Sequence, residues 1–261
     1  MQRYSTGPSS LAGGCYSRAM VRLQCVPNVS EGRRPEVVQA LAAAASGAGV
    51  QLLDVSSDPD HDRTVLTLAG DAESLHAALL ALYAEALAAI DLTRHVGVHP
   101  RVGAVDVVPF VPLAGATMDD AVAAAVRLGR AVAERFGLAV SLYERAARRP
   151  ERQALSALRR GGFEGFAAKL ADPDWAPDFG PAAVHPTAGV TIIGARFFLI
   201  AFNVRLATAD VAVARAVARR VRESSGGLPA VRALGVYLAS RDRAQVSLNL
   251  IDFRRTSMLQ A

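Results

Sequence analysis

Apolar and polar positions alternate over residues 21–26, the two-residue period of a strand that stops at Pro27. From residue 35 the apolar positions return every three or four residues to about 48, with Pro35 in the first turn, which predicts a helix. Residues 51–55 read as a second strand, closed by the turn-rich Ser56-Ser57-Asp58-Pro59-Asp60. Residues 64–68 alternate threonine with apolar residues and end at Gly70. Asp71 then stands where it can cap a long amphipathic helix over 72–90, and 105–111 is a further strand. The order is β-α-β-β-α-β, the split βαβ arrangement in which helices cover one face of an antiparallel sheet.

A helix over 118–136 and a strand over 139–143 extend this half. Residues 145–181, rich in Arg, Gly, Asp and Pro, read as a connector with short helical pieces at 151–158 and 164–170. A second unit follows as strand 197–206, helix 210–223, strand 232–239 and strand 245–253, its last hairpin turning at Arg241-Asp242-Arg243. The expected fold is therefore α/β (α+β): two ferredoxin-like α/β sandwich subdomains with antiparallel or mixed sheets. The second is incomplete by one helix and one strand, a gap that a partner subunit would cover or that would leave this half marginally stable. The expected boundaries are 1–20 for an extension, 21–180 for the first subdomain and 181–261 for the second.

Composition narrows the class. The 261 residues are 51% hydrophobic and 20% charged, enough apolar material for a sizeable core. No apolar run is long enough to cross a bilayer, and residues 40–48 are too short and lead into Gly49. The Ser/Gly-rich first stretch lacks the apolar segment of a signal peptide, so it is expected to be disordered, or to precede a true start at Met20. Cys15 and Cys25 supply neither a disulfide framework nor a zinc site, and the cytoplasm is the expected compartment. A net charge of +5 invites a nucleic-acid reading, but the basic residues are scattered, Lys169 is the sole lysine, and no basic stripe is interleaved with aromatics. No nucleic-acid partner and no membrane partner are expected.

Chemistry-bearing residues are densest in HVGVHPRVGAVD, residues 95–106, on the loop that joins the long helix to the next strand. Three readings compete. The histidines satisfy loop carbonyls; or His95 and His99 bind a metal, although Gly97 and Pro100 break the helix that their spacing would need and no third ligand follows at a defined distance; or one of them moves protons near neutral pH. On the last reading His99 leads, because Pro100 stiffens its backbone, Arg101 offers a bidentate fork to a carboxylate, and Gly103 permits close approach.

Six motifs stand in order along the chain: CVPNVSEGR (25–33), LDV with DRTV (53–55 and 62–65), HPRVGAVDVVPF (99–110), ADPDWAPDFGP (171–181), GARFFLIAFN (194–203) and AQVSLNLIDF (244–253). Through them the chain resembles the formiminotransferase family from Cys25 to Phe253. The resemblance implies a folate-dependent transferase of histidine degradation that moves the formimino group of N-formimino-L-glutamate to N5 of tetrahydrofolate. It also implies two α/β subdomains with folate in the cleft between them, assembly as a homodimer, tetrahydrofolate as co-substrate and no metal. The catalytic histidine of the family falls on His99. The folate-contacting stretch falls on Gly180, Pro181, Ala182, Ala183, Val184, His185, Pro186, Thr187, Ala188 and Gly189. Arg63, Arg101 and Asp54 are the expected substrate-binding residues, Asp106 the group that would orient the imidazole, and Arg196 a contact for the folate tail.

The chain also departs from the family. Ser56 stands where an aspartate is usual, Val98 where a glutamate precedes the histidine, Ala188 where the folate stretch carries tryptophan, and Phe197 and Arg205 where lysine and asparagine are usual. Such losses weaken substrate recognition more than folding. An alternative reading is therefore a non-catalytic or altered-substrate folate-binding homologue.

Overall fold

The computed structural model describes residues 22–261; the expected N-terminal extension lies outside the described residues. A seven-stranded mixed sheet forms the larger layer. Its first strand is interrupted: β1 (Leu23–Cys25) and β2 (Asn28–Val29) both lie between β4 (Arg63–Gly70) and β5 (Val105–Pro112), antiparallel to each. The break falls at Val26-Pro27, where proline has no N–H to give the ladder. β3 (Val50–Asp58) pairs with the outer side of β4, so the spatial order β3-β4-β1/β2-β5 is that of the expected ferredoxin-like unit.

Beyond β5 the sheet becomes parallel. β7 (Thr191–Ala195) inserts between β5 and β6 (Val140–Glu144) and runs parallel to both. The hydrophobic pattern did not single out β7. It is the five-residue run TIIGA, buried at every position and therefore without alternation. Its place brings residues beyond 180 into the first sheet.

Helices α1 (Pro35–Ala44), α2 (Ala72–Ala89) and α3 (Met118–Phe136) pack on one face through a core that includes Leu66, Leu68, Leu79, Leu82, Val108, Phe110 and Leu142. Asp71 caps α2 as expected, accepting from the Ser74 N–H, and Thr117 starts α3 with a reciprocal capping box to Asp120. On the opposite face, α4 (Leu155–Leu158) and α5 (Gly162–Leu170) cover Val107, Tyr143 and Ile192 through Leu158, Phe166 and Leu170. The connector is thus a packed layer, pinned by the buried Arg152–Asp178 pair at 3.2 Å, with Asp178 also accepting from Leu142 N–H at 2.7 Å.

The second unit is a three-stranded antiparallel sheet, β8 (Ile200–Arg205), β10 (Arg243–Leu250) and β9 (Val231–Leu238), in that spatial order. Helix α6 (Val211–Val221) covers one face through Ala214 and Ala218. Its other face turns toward the first sheet. Two contacts tie the units together: Arg232 donates to Glu144 at 2.9 Å, and Ser240 N–H donates to Asp60 at 2.9 Å.

Candidate active site

Strand alternation decides which side chains leave the helical core. Leu66 and Leu68 of β4 point to the helices, while Arg63 and Val65 point away; Asn28 of β2 and Val107 and Pro109 of β5 share that second face. Between it and the second unit lies a cavity of about 300 Å³. Its walls include His99, Arg63, Tyr143 and Arg159 on one side and Ala201, Arg232, Asn249 and Ile251 on the other, with Arg196 and Phe197 at the crossing between the units.

The loop carrying His99 is fixed against the turn before β4. His95 Nε2 bonds the Asp62 carbonyl at 2.8 Å, and Val98 N–H donates to the Asp60 carbonyl at 3.1 Å. Gly97 is required there, because a Cβ would stand 2.3 Å from the His61 carbonyl oxygen. The approach brings the His61 and His99 rings to 5.9 Å.

His99 Nδ1 lies 2.8 Å from the Pro100 carbonyl. A carbonyl only accepts, so a bond to it needs the proton on Nδ1, which leaves the Nε2 lone pair to accept from Arg63. Arg63 Nη1 stands 3.0 Å from Nε2 and 2.7 Å from Nδ1, and its other terminal nitrogen bonds Asn28. Burial, then the positive charges of Arg63 and Arg159, hold the His99 imidazole well below its ordinary 6.5. It is therefore the neutral base at neutral pH. Burial, followed by Arg159, likewise draws Arg63 down to about 9, against the opposing pull of Asp106 and Tyr143.

Asp106 is buried beneath this pair. One carboxylate oxygen accepts from Val102 N–H at 2.8 Å; the other bonds Arg159 and lies 3.9 Å from Arg63. Its bonds go to the arginines, and the Pro100 carbonyl holds the imidazole. Arg101 does not line the cavity; it borders a separate small pocket with His61, His95, His99 and Asp106, and its fork is engaged bidentately by Glu164 at 2.7 and 3.2 Å. Arg196 lines the cavity.

The structure does not bring the remaining expected residues to His99. Asp54 is exposed on the edge strand β3, beside a register shift between Leu52 and Asp54. The stretch from Gly180 to Gly189 runs under the first sheet. Gly189 bridges Gly103, the Ala188 carbonyl accepts from Ala104 N–H, and Ala188 is buried in the main core. His185 turns its Nδ1 to the N–H groups of Thr187 and Ala188. None of these residues lines the cavity of His99. Sequence reasoning passed over Arg159, which sits in the Arg-rich connector; the only available signal was its neighbourhood to Leu155 and Leu158 on a short amphipathic turn. Among the described residues, no three His, Cys, Asp or Glu side chains gather as a metal ion would need, and no helix is long and apolar enough to cross a membrane.

The chain belongs to the formiminotransferase family: the profile of the formiminotransferase domain, N-terminal subdomain, matches residues 22–196, and that of the formiminotransferase domain matches 201–261. Among curated proteins it is similar to the glutamate formimidoyltransferase of Streptococcus pyogenes, at 45% identity over 90% of this chain and 79% of that protein. It is 42% identical to the glutamate formimidoyltransferase of Thermoplasma acidophilum, over 93% and 80% of the two chains. The formimidoyltransferase-cyclodeaminase of Sus scrofa is 44% identical, over 90% of this chain and 45% of that longer protein.

Proposed function

We propose that this protein is a glutamate formimidoyltransferase that moves the formimino group of N-formimino-L-glutamate to N5 of tetrahydrofolate, with His99 as the acid–base group. The observation that carries the reading is the place of His99 on the wall of a cleft bordered by Arg63, Arg145, Arg159, Arg196 and Arg232, with Nδ1 against the Pro100 carbonyl and Nε2 against Arg63. Such a cleft suits two substrates that both carry carboxylates, and Phe197, which is 61% exposed, offers a flat apolar face at its rim.

In the reaction, N5 of the pterin attacks the amidine carbon and a C–N bond forms. His99 Nε2 takes the proton that N5 loses, then gives it to the glutamate nitrogen as that C–N bond breaks. The ring ends as it began, so no other proton donor is required. Arg63 moves from Nε2 to a substrate carboxylate as the donor binds. Holding both reactants in one cleft contributes as much as the proton transfer. The protein works as a cytoplasmic homodimer, and tetrahydrofolate is co-substrate; the chemistry needs no metal.

A second reading is an altered donor. It is favoured by Arg101, whose fork is already taken by Glu164, and by Ala188, whose burial leaves no aromatic face from that stretch. A coupled assay with tetrahydrofolate and N-formimino-L-glutamate, run on wild type and His99→Ala, separates the two. Turnover that collapses in the variant supports the first. Folate binding by calorimetry without turnover in wild type favours the second.

A further inference from the structure

We propose that Lys169 is a positioning residue for the His99 site, holding the end of α4, and with it Arg159, against Asp106. The lysine is the only one in the chain. From the last turn of α5, its ammonium donates to the carbonyls of Ala157 and Leu158 at 2.6 and 2.7 Å. Those are the residues just before Arg159, at a helix end where a cation is favoured. A helix of one turn has little stability of its own, so its orientation depends on what grips it. The grip is itself fixed, because the ammonium stands 4.6 Å from the Trp175 ring centre and 5.4 Å from that of Phe166.

From that end Arg159 reaches the Asp106 carboxylate and the wall of the cavity. The same helix α5 carries Glu164, which holds Arg101. One short helix therefore sets two of the cations around the imidazole. The charged and titratable groups around His99 are Arg63, His61 and Asp62 from β4 and the turn before it, His95 and Arg101 from its own loop, Asp106 from β5, Arg159 at the end of α4, Tyr143, Glu144 and Arg145 at the end of β6, Arg196 after β7, and Arg232 from β9. Of these, Arg159 is the one that directly follows the carbonyls Lys169 holds. Released, it would withdraw positive charge from His99 and leave Asp106 to pair more fully with Arg63. Both changes make the imidazole easier to protonate.

The proposal rests on His99 as the acid–base group, but its first readout does not. The Cε1 proton signal of His99, assigned by its loss in His99→Gln, is titrated by NMR in wild type, Lys169→Met and Lys169→Arg. The midpoint is expected to move to higher pH in Lys169→Met and to return toward wild type in Lys169→Arg, which keeps the charge and the donors. In parallel, kcat/KM at about pH 6, relative to that at about pH 8, falls about threefold in Lys169→Met. Equal midpoints in wild type and Lys169→Met would overturn the proposal, even if the variant melts earlier, because a purely structural lysine does not move a titration. Should Lys169→Met fail to fold, reductive dimethylation of the folded wild type decides. Burial, then Arg160, lower this ammonium to about 8, so it reacts readily. The product keeps its charge but has one N–H where two now donate; a shifted midpoint supports the proposal and an unshifted one sinks it. A shifted midpoint without formimino transfer would leave the positioning role standing and remove the proposed reaction.

Discussion

At the scale of single residues, the protonation of His99 is decided by its neighbours. Replacing it with alanine should lower kcat about 10²–10⁴-fold, the usual worth of a positioned acid–base group, while the circular dichroism spectrum and melting temperature stay near wild type. The pH dependence has a definite sign. Catalysis needs the free imidazole, so activity should persist below the ordinary 6.5 of histidine and fall only as pH drops through the lowered value. Stability follows the same direction. Between the lowered value and 6.5 the unfolded chain binds the proton that the folded chain refuses, so this contribution is complete above 6.5 and is lost as pH falls below it. Melting temperature measured against pH should show that slope in wild type and lose part of it in His99→Gln. A wild-type acid limb at or above 6.5 would contradict the neutral, cation-flanked histidine. Residue 99 could be singled out from sequence because histidine, proline, arginine and glycine cluster on one loop. Arg159 could not, since the burial that makes it chemically significant exists only once the connector folds back over β5–β7–β6.

Among the elements, legibility followed amphipathicity. α2 and α3 have one wet face, and the alternation in β4 marks a strand with Leu66 and Leu68 on the core side and Arg63 on the other. β7 has two dry faces and no period to read. The connector was harder still, because its order comes from ion pairs between distant residues. Arg152 and Asp178 are both almost fully buried, and Arg152 also donates to the Asp174 carbonyl at 2.8 Å. Asp178→Ala should therefore cost about 3–5 kcal/mol by leaving the guanidinium buried without its partner. Replacing both residues by apolar ones of similar volume should recover much of that loss. Urea unfolding of the two variants tests the contrast, and equal destabilisation would argue that packing, rather than an unpaired charge, dominates here.

Across the whole molecule, the cavity exists because two units face each other, and among the described residues the hydrogen bonds that join them across it are those of Asp60–Ser240 and Glu144–Arg232. Each is exposed or half-exposed, worth at most about 1 kcal/mol. Removing both, as Asp60→Ala with Arg232→Ala, should leave the first unit's stability nearly unchanged, because the Asp60 carboxylate accepts from both the N–H and the hydroxyl of Ser240. Cleavage by chymotrypsin at the exposed Phe197 and Phe198 should speed up, and KM for the folate should rise more than kcat falls. An unchanged digestion rate would mean that other contacts hold the units. The two-unit organisation was visible in the sequence as a repeated strand–helix–strand–strand order; how the units meet was not, since the meeting depends on side chains 88 and 180 positions apart.

The late arrival of β7 has a consequence for how the molecule is made. Strands β5 and β6 leave the ribosome well before Thr191–Ala195, the strand that lies between them. Until then β6 has no partner in the sheet, and the apolar faces of Val107, Val108 and Leu142 flank an open slot. A nascent chain at that stage is sticky and must wait, because non-local parallel pairing is slow. Chains released after residue 180 should aggregate or require a chaperone, whereas chains released after 196 should yield a protease-resistant first unit. Thr191–Ala195, which line no part of the cavity, would thus set the moment at which the whole sheet becomes safe from misassembly.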